Sequence, residues 1–121
     1  YDYEHSSISS EPRYAYLHDI QLHDRNYQTY GGTYAWLTAA VKAADKAVKN
    51  ADRYSTPTLL FQAELDNTVG ASGQNAFADR ASNVRLIQVL GAKHSIQLSE
   101  NPILIPFMDQ VMDFYEEHLK N

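Results

Sequence analysis

Two polar residues are set apart by their type and by where each one falls. Asp66 lies in Ala63-Glu64-Leu65-Asp66-Asn67-Thr68-Val69, just past the apolar run Thr58 to Ala63. His94 lies in Gly91-Ala92-Lys93-His94-Ser95, just past a second apolar run, Val84 to Leu90. An aspartate bonded to one ring nitrogen fixes the imidazole tautomer and stabilises its cation, leaving the other nitrogen free to take a proton from a nucleophile. The plainer reading makes Asp66 a turn former or helix cap and His94 a hydrogen-bonded structural residue. Spacing alone leaves both readings open.

The elements that must position the pair are legible around it. Thr58 to Ala63 is opened by Pro57 and does not alternate apolar with polar, as expected of a buried strand in a parallel sheet. A polar turn leads to a helix expected over Ala71 to Ser82, and Val84 to Leu90 follows as the second strand. Strand, helix, strand at this length is a βαβ unit, with parallel strands linked right-handedly. Neighbouring strands lie about 4.8 Å apart, so Asp66 and His94 both project from the carboxyl edge and can touch. Upstream, Trp36, Leu37, Ala40, Val41, Ala44, Val48 and Ala51 recur at helical spacing, which predicts an amphipathic helix over 33–51 with Thr33 as its N-cap. Downstream, Leu104, Phe107, Met108, Val111, Phe114, Tyr115 and His118 predict a helix over 103–119, with Pro106 marking its first turn because an interior proline breaks a helix. Residues 1–32 hold no sustained period and read mostly as loop, with a short helix around Tyr14 to Ile20.

Composition narrows the function classes. The 121 residues are 44% hydrophobic and 21% charged, enough for one modest core and free of any disorder signature. A net charge of -5 with scattered basic residues argues against a nucleic-acid partner. Without cysteine there is neither a disulfide framework nor a thiolate zinc site. No run reaches the 18 or so apolar residues of a bilayer span, and the first ten residues lack a signal-peptide plan, so the expected location is cytoplasmic, or peripheral to a membrane. Eight of the nine tyrosines precede Pro57 and the aliphatic residues concentrate after it, which suggests two structural roles along the chain.

The segment Thr56 to Val69, followed by Leu86 to His94 and then Glu100, resembles the lysophospholipase and monoacylglycerol lipase branch of the α/β-hydrolases. In that family the Asp of P-x-L-x-x-x-A-E-x-D-x-x-V is the triad acid and the His of x-G-A-x-H is the triad base, positions that Asp66 and His94 occupy. Acid before base, each after a strand, also fits the Ser, Asp, His chain order of that fold. Upstream, Ser9 to Tyr14 and Gly31 to Leu37 resemble the end of a cap region and the helix that returns to the core. The resemblance implies the C-terminal portion of an α/β-hydrolase fold, a parallel βαβ unit with flanking helices and an incomplete sheet. Residues 1–32 would be a cap remnant and 33–121 the C-terminal part of the core. It further implies hydrolysis of a lysophospholipid or monoacylglycerol ester, with no cofactor.

The sequence departs from the family at one decisive point. The nucleophile elbow, G-x-S-x-G, is absent, and Gly70-Ala71-Ser72-Gly73 has the wrong order and spacing. The expectation is therefore a fragment whose nucleophilic serine lies N-terminal to Tyr1 in the same protein, and which is inactive alone. Its truncated sheet edge is expected to make it self-associate as a dimer. The alternative reading is a non-catalytic α/β interaction module in which Asp66 and His94 are a structural pair.

Other candidates weigh less. His18, Asp19, His23 and Asp24 have metal-ligand chemistry, but histidines five apart fall on different helix faces, and solvated surface is the better reading. Ser6, Ser7, Ser9 and Ser10 are most simply loop or cap residues, since nothing nearby supplies a base or a strained turn. Tyr14, Tyr16, Tyr27, Tyr30 and Tyr34 are candidates to line an acyl or glycerol pocket, although packing is the commoner role of such rings.

Overall fold

The structure is a computed structural model that describes residues 2–28 and 31–119. In chain order it contains helix α1 (Glu11–His23), helix α2 (Tyr34–Lys49), strand β1 (Thr58–Ala63), helix α3 (Ala71–Arg80), strand β2 (Val84–Val89) and helix α4 (Asn101–Leu119). Single 3-10 turns fall at Arg25–Tyr27, Ala51–Arg53 and Ile96–Leu98.

β1 and β2 pair in parallel, in a register running from Thr58 opposite Val84 to Ala63 opposite Val89. Among the described residues β1 has no other strand beside it, so the class is α/β with an incomplete sheet. Both faces of the pair are covered, which is why the β1 run does not alternate. On one face Phe61 meets Phe107 of α4 edge to face at 4.6 Å. On the other Gln62 is buried and its Nε2 donates to Asn75 Oδ1 of α3 at 2.9 Å. The core is small: Ala63, Ala92 and Ile96 are buried, with Phe61, Val89, Ile103 and Phe107 packed against them.

The helix after Gly31-Gly32 begins as expected, with Thr33 Oγ1 accepting from Trp36 N at 3.2 Å. It ends at Lys49 rather than residue 51, α3 ends at Arg80 rather than Ser82, and β2 stops at Val89. Two expectations need adjustment. The first concerns residues 1–32, where the short helix expected around Tyr14 to Ile20 is present but longer, the 13-residue α1, so that the segment holds less loop than expected. Pro12 and Glu11 favour its first turn, but no single apolar stripe marks it, because its half-buried side chains include Arg13, Tyr14 and His18 as well as Leu17 and Ile20. Its order comes from distant partners: Ser10 N donates to Leu98 O at 3.3 Å, and the Arg13 guanidinium donates to Ser99 O at 2.6 Å and to Asn101 Oδ1 at 2.7 Å.

The second concerns Pro106, which sits inside α4 and not in its first turn. Pro102 takes the first-turn position. An interior proline forfeits one i to i−4 hydrogen bond, and the helix continues because its neighbours Ile103 and Phe107 are held in the core. The inward stripe of α4 is also narrower than periodicity suggests, since Met108 and Tyr115 are exposed.

Candidate active site

Because β1 and β2 end level, the turns that follow them meet at one edge, and backbone bonds lock them together. Glu64 N donates to Val89 O at 3.1 Å and Leu65 N to Ala92 O at 2.9 Å. Asp66 closes the first turn: its Oδ1 accepts from Thr68 N at 2.8 Å and from Val69 N at 2.9 Å. This is an aspartate-capped turn that fixes the carboxylate from within its own segment. Its other oxygen, Oδ2, lies 2.9 Å from Nδ1 of His94.

The Asp66 side chain is 9% exposed and that of His94 41%. Burial pushes the Asp66 carboxyl up, but the bond with His94 and the Val69 and Thr68 amides together outweigh it, and its pKa lies below the usual 3.8. Asp66 is thus a carboxylate at neutral pH, suited to hold the Nδ1–H tautomer and to stabilise an imidazolium. Nε2 of His94 makes no hydrogen bond to any described residue. The imidazole is therefore oriented at one nitrogen and available at the other.

The residues flanking His94 are held by the N-terminal segment. Lys93 Nζ donates to Glu4 O at 3.2 Å and lies 5.4 Å from the centre of the Tyr3 ring. Ser95 N donates to Ser7 O, and the hydroxyls of Ser7 and Ser95 are 2.9 Å apart. Beneath them Ala92 and Ile96 anchor the turn in the core. Neither this strap nor the carboxylate of Glu64, which accepts from Gly91 N at 2.8 Å, was among the sequence candidates. Asp-Asn-Thr after a strand is a readable turn signal for the Thr68 and Val69 amides; the other contacts span 27 or more positions and have no local signature.

The remaining candidates separate from the pair. No described serine is hydrogen-bonded to His94; Ser6 Oγ donates to Tyr3 O at 2.7 Å, and Ser10 is buried. His23 Nδ1 lies 2.8 Å from Asp19 O on an exposed stretch of α1. Among the described residues no three His, Asp or Glu side chains are grouped to hold a metal ion. Tyr16 and Tyr27 line a groove of about 730 Å³ with Arg13, Leu17, Ile20 and Leu98. Tyr14 packs between Tyr3 and His18, Tyr34 is exposed, and Tyr30 lies outside the described residues. No helix among the described residues is long and apolar enough to cross a membrane.

The family described as Serine aminopeptidase, S33 matches residues 5–101, a span that includes both Asp66 and His94. Lysophospholipase L2 of Escherichia coli (strain K12) is 25% identical over an alignment of 117 residues that takes in 84% of this chain and 34% of the relative. The protein of the same name from Escherichia coli O6:H1 (strain CFT073) matches with the same identity and coverage. The chain thus spans about a third of the length of the curated relatives it matches. No solved structure matches it.

Proposed function

The chain belongs to the Serine aminopeptidase, S33 family of α/β-hydrolases, and from that premise we propose that the protein carrying it hydrolyses carboxylic esters of lysophospholipid or monoacylglycerol type, with Asp66 and His94 as triad acid and base. The observation that carries the reading is the 2.9 Å contact between Asp66 Oδ2 and His94 Nδ1, with Nε2 left open. The kinship with proteins named lysophospholipase favours a lipid ester as the substrate class.

In this reading the nucleophilic serine comes from outside residues 1–121, in the N-terminal part of the same protein. Its Oγ–H proton passes to His94 Nε2 as Oγ bonds to the ester carbon. Asp66 keeps Nδ1 protonated and offsets the imidazolium charge. Collapse of the tetrahedral intermediate breaks the bond to the leaving alcohol, which takes the proton from Nε2. Water then repeats the cycle on the acyl-serine, gives its proton to Nε2 and releases the fatty acid, and the serine regains a proton from His94. Base, acid and serine complete the acyl transfer, and the proposal includes no cofactor. Residues 1–32 are assigned to the cap and 33–121 to the core in the same reading.

The test assays the protein carrying this chain on lysophosphatidylcholine and on a monoacylglycerol, beside an aminoacyl p-nitroanilide, because the family description names an aminopeptidase. Ester turnover abolished by His94→Ala supports the proposal. Turnover of the anilide alone overturns the ester substrate and keeps the dyad. Turnover of neither by the folded protein overturns both and restores the interaction-module alternative.

A further inference from the structure

The two turns that carry Asp66 and His94 are joined by one side chain outside the dyad. Glu64 Oε2 accepts from the backbone N–H of Gly91 at 2.8 Å. Glu64 stands two residues before Asp66, and Gly91 stands three before His94. The strand ladder cannot make this link. β1 ends at Ala63, and the last backbone bonds across the edge, Glu64 N to Val89 O and Leu65 N to Ala92 O, leave the Gly91 amide between them without a backbone acceptor. Gly91 has φ +70, a left-handed conformation that turns the chain sharply between Val89 and Ala92 and directs its amide toward β1. An ionised acceptor makes a stronger bond to that amide than a neutral one. Glu64 is itself exposed, so it contributes little to the core, and its carboxylate is bonded to the turn that leads to the base.

We infer that Glu64 is a positioning residue: through Gly91 it sets the spacing between the acid turn and the base turn, and so the contact between Asp66 and His94. This rests on reading the two as a catalytic dyad but is tested without substrate. The probe is the low-field proton NMR signal of the His94 Nδ1–H in the protein, assigned by its disappearance in His94→Ala. Glu64→Gln keeps an oxygen acceptor for the Gly91 amide; Glu64→Ala keeps none and, being exposed, removes no core contact. The inference predicts that the signal persists in Glu64→Gln and is lost in Glu64→Ala, while amide dispersion elsewhere matches wild type. A signal unchanged in Glu64→Ala overturns it, and so does equal loss in both variants. If the signal follows the predicted pattern but no ester is turned over, the functional proposal fails and the positioning role stands.

Discussion

Oδ2 of Asp66 and Nδ1 of His94 are 2.9 Å apart although 28 positions separate them in the chain, and the second oxygen of Asp66 is engaged by two amides of its own turn. The acid is therefore held by its own turn as well as by the base. Replacing it by Asn keeps the shape but puts a donor or the wrong tautomer against Nδ1. In the protein carrying this chain, Asp66→Asn is expected to lower kcat by roughly four orders of magnitude with little change in KM, as loss of the tautomer lock does in serine hydrolases. Steady-state kinetics on a lysophospholipid would check this, and a kcat within about tenfold of wild type would remove Asp66 from the triad.

Acid sensitivity follows from the same contact. The pKa of Asp66 is lowered in the folded state, so its ionised form is bound more tightly there than in the unfolded chain. Its contribution to stability is fully present above the usual value of 3.8 and is lost as pH falls through the lowered folded value. A carbon-13 titration of the Asp66 carboxyl should give a midpoint below 3.8, and Asp66→Asn should flatten the acid limb of the stability profile in that window. A midpoint above 3.8 would mean that burial prevails over the hydrogen bonds.

The outer side of β1 has no partner strand among the described residues, and Trp36, Leu37 and Val41 of α2 are 64%, 53% and 54% exposed. An unpaired apolar edge and an apolar helix face both favour association. The 121-residue chain by itself is expected to self-associate, with a two-fold dimer as the simplest closed form. Sedimentation equilibrium at micromolar concentration tests this; a single monomeric species would mean that this edge and face need no second copy.

Much of this site was legible because its signals are local. The β1 and β2 runs, the Thr33 cap and the two polar turns can each be read within a window of a few residues, and parallel pairing then brings Asp66 and His94 to one edge. The departures from expectation, an α1 longer than Tyr14 to Ile20 and a Pro106 inside α4, have a common physical origin. Helix α1 lacks a dominant apolar face and is held by Arg13 and Ser10 contacting Ser99, Asn101 and Leu98, which no window of the sequence joins. Pro106 is carried inside α4 by the packing of Ile103 and Phe107, a tertiary effect that overrides the local rule. Glu64 was visible as a residue of the motif, but its role depends on the left-handed turn at Gly91, which only the fold supplies.

The central claim is that His94 is the base for a serine supplied from outside this chain, and fluorophosphonate labelling tests it most directly. Such probes bond covalently to a serine only when a base activates it. The reagent is to be applied to the protein carrying this chain, to its His94→Ala variant and to the 121-residue chain alone, with the modified residue located by mass spectrometry. The prediction is rapid labelling of one serine lying before Tyr1, loss of that labelling in His94→Ala, and none on the isolated chain. Undiminished labelling in His94→Ala, or a modified serine within residues 1–121, would contradict it.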